Sequence, residues 1–169
     1  MPQQITHLIH RHWKKALYIL ALFLVCFYIS HFWYQVMLIQ GGSMEPSYHS
    51  WQFVLLDKHT KSYGCGDVVA FRCDGLKTVL VKRVVAVPGD TVQIVDGVLR
   101  RNGAAVEDGL VNRRLDYAGI AEKAVILGEN EYFLLGDNYE ESKDSRYEEV
   151  GCVSEKDILG KVIPQKHEE

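Results

Sequence analysis

A mainly β domain, compact and with partly closed antiparallel sheets, carried behind one N-terminal transmembrane helix, is the architecture this sequence predicts. Three observations predict it. No Asp, Glu, Lys or Arg occurs from residue 16 to residue 39. Beyond residue 50, short runs rich in valine alternate with turn signals. Two of those signals, Asp96-Gly97 and Asn102-Gly103, are dipeptides that favour tight two-residue hairpins.

The elements follow in order. Residues 1–15 form a flank with Arg11, Lys14 and Lys15 and no acidic residue. Residues 16–39 form the anchor, which at ~1.5 Å per residue reaches ~36 Å against ~30 Å of hydrocarbon. Tyr28, Trp33 and Tyr34 suit its outer interface, where His31 and Gln35 also lie. The apolar run exceeds the ~7–15 residues of a cleavable signal, and no small-x-small site follows it. The basic flank puts the N-terminus in the cytoplasm and residues 40–169 outside. Three of the nineteen basic residues precede the span, so the outer part carries sixteen against all twenty-two acidic ones, about −6. That balance, without a basic run, speaks against nucleic acid as a partner.

In the outer domain, strands are expected over 51–56, 67–72, 79–87, 91–95, 98–101, 131–135 and 161–163. Ser154-x-x-Asp157 reads as the start of a short helical turn. Residues 110–128 read as an exposed loop ending near a strand. Cys26 lies inside the span, while Cys65, Cys73 and Cys152 lie beyond it, so at most one internal bridge forms among those three. With no Cys-x-x-Cys pair, no zinc site is expected. His7, His10 and His12 read as a solvated flank.

Three clusters carry reactive groups. Ser43 follows Gly41-Gly42 and precedes Met44-Glu45-Pro46, just beyond the span. By itself it is an ordinary turn serine, and a nucleophilic serine needs a base. The outer histidines, His49, His59 and His167, sit in no triad-like pattern. Lys82 interrupts a valine-rich strand. Alternation places Lys82 with Leu80 and Val84, and Arg83 with Val81 and Val85, so one charge faces an apolar side unless the strand is an edge from which both reach solvent. A lysine near pKa ~10.4 must fall about three units to act as a base at neutral pH, and burial can supply that. The third cluster is the polar loop 136–146, with hydroxyls able to orient a lysine and an Asp-x-Arg pair able to tie it down.

Ser43-Met44-Glu45-Pro46-Ser47, then Gly66-Asp67-Val68-Val69-Ala70-Phe71, then Lys82 to the Pro88-Gly89-Asp90 turn, then 136–146, occur in one order. Together they resemble the boxes of the type I signal peptidases, family S26, in the small form typical of Gram-positive bacteria. The resemblance implies a signal-peptidase-type β domain and a serine–lysine endopeptidase acting on the signal peptides of exported preproteins at the cell membrane, with no metal and no cofactor. It implies Ser43 as nucleophile and Lys82 as base. Ser142 matches the serine that hydrogen-bonds the base lysine. Asp144 and Arg146 match residues that hold the loop, and Asp137 a supporting position. Met44, Leu80 and Val81 flank the dyad and could either line shallow pockets for small residues or be plain core. Some relatives place a serine two residues before the nucleophile as a second oxyanion donor, and here that position is Gly41. Ser47 stands where threonine is frequent, and Tyr139 where arginine is. Three other readings stay open: a pilin-maturing peptidase of similar chemistry, a self-cleaving repressor, disfavoured by the span, and a non-catalytic anchored binding domain.

Overall fold

The computed structural model describes residues 2–106 and 113–164. Helix α1 runs over Pro2–Phe32, and His12–Phe32 within it is long and apolar enough to cross a membrane, with none of its apolar window buried in the protein. The helix stops earlier than the expected end of the span at residue 39. Instead β1 (Tyr34–Leu38) pairs antiparallel with β2 (Phe53–Asp57), from Tyr34 opposite Asp57 to Leu38 opposite Phe53. The reason is backbone pairing: β2 offers a row of N–H and C=O groups, and Tyr, Val and Leu suit a strand. Lys58 joins the two parts, its Nζ donating to the His31 carbonyl at 2.8 Å and its N–H to the Trp33 carbonyl at 2.9 Å. A cation on the last carbonyls of a helix is favourable with respect to the helix dipole.

The remaining strands are β3 (Val68–Cys73), β4 (Thr78–Ala86), β5 (Thr91–Val95), β6 (Val98–Arg101), β7 (Ala104–Ala105), β8 (Val125–Ile126), β9 (Glu131–Leu135), β10 (Val153–Ser154) and β11 (Ile158–Val162). They form a seven-stranded sheet, β1-β2-β11-β3-β4-β9-β10, and a four-stranded sheet, β7-β6-β5-β8, with every pairing antiparallel. The fold is thus mainly β behind one apolar helix. The hairpins at Asp96-Gly97 and Asn102-Gly103 form as expected, with φ of 49° and 74°, then 55° and 82°. These are the positive values that a two-residue turn of this kind requires.

Three apolar clusters fill the interior. One packs Val85 and Ala86 of β4 with Val92, Ile94, Leu99, Phe133 and Leu135, joining the two sheets. A second gathers Ile39, Met44, Tyr48, Val54, Leu56, Val68, Ala70 and Val81. A third holds Val69, Phe71, Val84, Tyr132 and Leu134. Neighbours on β3 and β4 belong to different clusters, so these central strands are apolar on both sides. The region expected to be an exposed loop is partly core: Leu115, Ala121 and Leu127 are buried, and a 3-10 turn spans Gly119–Glu122. Residues 110–112 lie outside the described residues. The turn expected near Ser154 is also 3-10, over Glu155–Asp157, and the Ser154 side chain does not cap it. None of the four cysteines is in a disulfide.

Candidate active site

The Ser43 loop starts where the β1–β2 ladder ends. Ile39 N–H donates to the Gln52 carbonyl at 2.9 Å, and Trp51 N–H to the Ile39 carbonyl at 2.8 Å, closing the base of the loop. Gly41 adopts φ +89° and donates its N–H to Ser50 Oγ at 3.1 Å. Met44 then drops into the second cluster at 1% exposure and pins the loop to the core. Ser43 sits between these two fixed points, half-buried.

Lys82 comes from β4, which lies between β3 and β9. An interior strand has no edge from which to reach water, so the reading in which both charges point to solvent fails. Lys82 is 2% exposed, and its Nζ lies 2.6 Å from Ser43 Oγ. Burial among apolar neighbours pushes its pKa from 10.5 down to about 8, against the carboxylates of Asp144 and Asp137, which raise it, while Arg146 lowers it. Desolvation dominates because the ammonium, unlike the amine, loses hydration on burial. At pH 7 about a tenth of Lys82 is therefore the free amine, able to accept the Ser43 proton.

Arg83 is also sequestered, by pairing. Its Nε and Nη2 donate to the two Asp137 carboxylate oxygens at 2.8 and 2.5 Å, Nη1 donates to the Gly66 carbonyl at 2.9 Å, and Nη2 donates also to Ser47 Oγ at 3.2 Å. This bidentate pair ties the lysine-bearing strand to the start of the late loop. The sequence singled out Asp137 but not its partner. Arginine at the position after the base was the available signal.

The late loop is closed on itself by a buried ion pair. Arg146 Nε and Nη2 donate to Asp144 at 2.8 and 2.9 Å, and Asp144 Oδ2 also accepts the Gly136 N–H at 3.1 Å. Arg146 further donates to the carbonyls of Tyr139, Tyr117 and Ser142. Ser145 Oγ accepts the Leu134 N–H at 3.0 Å, anchoring the loop to β9. Asp144 and Arg146, for which the sequence suggests a loop-holding role, bond to each other and to the loop backbone. Ser142 differs: its Oγ is buried and has no hydrogen-bond partner among the described residues. No hydrogen bond links Ser142 to Lys82 here, and Lys82 Nζ contacts Ser43 Oγ.

Gly136 is where the two loops touch. A Cβ there would lie 2.2 Å from Ser142 Oγ and 2.5 Å from the Ser43 carbonyl oxygen. Only glycine leaves room for that approach. Gly136→Ala is expected to push the late loop off Ser43 and lower kcat/KM by at least roughly tenfold, given how steeply rate depends on ångström-scale placement. Cleavage kinetics on a protein of unchanged circular dichroism would check it.

The three flanking apolar residues split. Met44 and Val81 share the second cluster, whereas Leu80 packs against the third and is partly exposed. Of the histidines, His59 stacks on Trp33 with centroids 4.8 Å apart, and His49 faces Glu45 at 3.8 Å. Neither hydrogen-bonds Ser43 among the described residues.

The family model described as signal peptidase, peptidase S26, matches residues 10–164. Signal peptidase I of Bacillus licheniformis is 32% identical over 158 residues, covering 88% of this chain and 83% of that protein. Signal peptidase I T of Bacillus subtilis is 31% identical over 158 residues, covering 88% and 80%. Among solved structures, a signal peptidase I from Enterococcus faecalis is 25% identical, covering 60% of this chain and 97% of that one, with a TM-score of 0.48. With the family's match running from within α1 through β11, the chain belongs to the S26 family of signal peptidases.

Proposed function

We propose that this chain is a membrane-anchored serine endopeptidase that removes signal peptides from exported preproteins, with Ser43 as nucleophile and Lys82 as general base. The observation that carries the residue roles is the 2.6 Å contact between Ser43 Oγ and a lysine that is 2% exposed and titrates near 8. Ser43 Oγ attacks the carbonyl carbon of the scissile peptide as its proton passes to Lys82 Nζ. The Ser43 N–H, which donates to no acceptor among the described residues, takes the oxyanion. Collapse of the adduct breaks the C–N bond, and Lys82 returns the proton to the leaving amine. Water then attacks the ester with Lys82 again as base, freeing the signal peptide's carboxylate and Ser43.

Leu80, close to Lys82 in sequence and partly exposed, would meet the small side chain before the scissile bond, whereas Met44 and Val81 pack in the second cluster. The domain is expected to rest on the outer membrane surface. Val36, Leu38, Phe53 and Leu55 share one face by register, and Trp51 and Phe53 are 71% and 64% exposed close to the end of the span. Exposed apolar area of this kind, continuous with an anchor, suits contact with lipid. Arg11, Lys14 and Lys15 before the span favour a cytoplasmic N-terminus and an extracytoplasmic catalytic domain.

The test is cleavage of a preprotein in detergent by the full chain and by Ser43→Ala. The Ser43→Ala protein should release no mature product above the uncatalysed background. Cleavage at the wild-type rate would sink the assignment.

A further inference from the structure

The oxyanion donor sits on an intrinsically loose peptide. The Ser43 N–H belongs to the planar unit that also carries the Gly42 carbonyl, so the direction of one fixes the direction of the other. Gly41 and Gly42 precede it, and two glycines allow that plane to turn over at little cost. Gly41 also leaves no hydroxyl at the position where some relatives have a second donor. Aim of the Ser43 N–H therefore depends on whatever holds the Gly42 oxygen.

We infer that Asn138 is the residue that aims the oxyanion hole. Its side-chain Nδ2 donates to the Gly42 carbonyl at 3.3 Å, and its backbone N–H donates to the Ser43 carbonyl at 3.1 Å. A carbonyl oxygen only accepts, so the amide nitrogen and not Oδ1 faces Gly42. The two bonds grip the peptide planes on both sides of Ser43. The Glu45 N–H also donates to the Gly42 oxygen, at 3.1 Å, but that contact lies within the same loop and would move with it. Asn138 comes from outside the loop. Its own position is fixed by the two residues before it: Asp137 is held bidentately by Arg83, and Gly136 is bonded to buried Asp144. Arg83 neighbours the base on β4, so the chain Lys82–Arg83–Asp137–Asn138 carries the geometry of the base strand to the oxyanion donor.

The bond to Gly42 has an electronic effect as well as a steric one. Donation into an amide oxygen polarises the amide and strengthens its N–H as a donor. Asn138 touches neither substrate nor the reacting atoms. It is a positioning residue, and its effect belongs to the transition state, where the negative oxygen forms, more than to substrate binding.

The inference rests on Ser43 being the nucleophile, and the test separates the two. Asn138→Ala removes the donor, and Asn138→Asp keeps the shape but presents a carboxylate that repels the Gly42 oxygen. Both retain the backbone N–H to Ser43. All are assayed as full chains in detergent, at a temperature where circular dichroism shows every variant folded. The expected result is a loss in kcat of about 10- to 100-fold, less than for deletion of a direct oxyanion donor, with KM within about twofold. Binding of a peptide aldehyde, whose hemiacetal oxygen occupies the oxyanion position, should weaken by the same factor as kcat/KM. The acid limb of the Asn138→Ala pH profile should stay where the wild type has it, since Lys82 keeps its surroundings. A kcat within twofold of wild type in both variants, or a loss confined to KM, overturns the role of Asn138 and leaves the dyad standing. Cleavage by Ser43→Ala would overturn both.

Discussion

Lys82→Met is expected to cut kcat/KM by at least about 10³-fold while leaving the protein no less stable at pH 7. Methionine matches the length of the lysine stem and fits the apolar surroundings, but it cannot take a proton. General-base catalysis contributes typically 10²- to 10⁴-fold, and here the same group must also protonate the leaving amine. In the wild type the base titrates at about 8, so kcat/KM should fall tenfold per pH unit below that value and level off above it. The stability effect has the opposite sign. The folded pKa is depressed below the unfolded 10.5, so the folded state resists a proton that the unfolded chain binds readily. Stability therefore rises as pH climbs from about 8 towards 10.5, and the penalty is fully present below 8. The shift corresponds to roughly 3 kcal/mol at about 1.36 kcal/mol per unit, which Lys82→Met would relieve at pH 7. Paired cleavage assays and thermal melts check both halves. Retained activity would remove Lys82 from the mechanism, and a clearly lower melting temperature at pH 7 would show that the charged lysine is a net stabiliser.

The cost of that buried lysine explains why the site is legible in sequence at all. Two adjacent charges within Val79-Leu80-Val81-Lys82-Arg83-Val84-Val85 stand out because apolar strands rarely carry a charge without a use or a partner. Alternation correctly put Lys82 and Arg83 on different sides. It could not say that Lys82 is buried and Arg83 half-buried, since that depends on β3 and β9 flanking β4, pairings between segments far apart in sequence. Strands with their own turn chemistry were easiest to read: 91–95 and 98–101 match their observed limits, because Asp96-Gly97 fixes the register locally. In sequence, Tyr34–Leu38 reads as a continuation of the membrane helix because the same apolar side chains serve either solvent, and only the presence of β2 decides. Leu115 and Ala121 were read as loop because their burial comes from the sheet above them and leaves no period in the chain.

Site residues divide in the same way. Ser43, Lys82, Asp144 and Arg146 were visible as charges or hydroxyls in ordered boxes. Arg83 and Asn138 were not singled out, because their work is done through hydrogen bonds to backbone carbonyls or to one carboxylate across the fold. No spacing rule encodes such contacts. Ser142 shows the limit from the other side: its place in the box was legible, but its hydroxyl stands unpartnered while the lysine turns to Ser43.

Asp144→Ala should be the most destabilising change in the late loop, by about 3–5 kcal/mol, because it strands a guanidinium that is 1% exposed. The Gly136 N–H loses its acceptor at the same moment, adding about 1–3 kcal/mol if no water reaches it. Arg146→Met is expected to cost less than this sum, although it frees the carbonyls of Tyr139, Tyr117 and Ser142. If the pair acts as a unit, Asp144→Ala combined with Arg146→Met should cost clearly less than the two single changes added together, since the second removes the charge that the first strands. Urea denaturation of the four proteins gives the coupling directly. Equal and additive losses would mean that the two side chains support the loop independently. The same variant carries an electrostatic signature. Asp144 raises the Lys82 pKa and Arg146 lowers it, so removing the Asp144 carboxylate leaves only Asp137 to oppose the lowering influences. Whatever Asp144→Ala remains folded should show the acid limb of kcat/KM displaced below the wild-type position near 8, even as its total activity falls. A displacement to higher pH would mean that the loop has opened and let water back to Lys82, so that loss of desolvation outweighs loss of the negative charge.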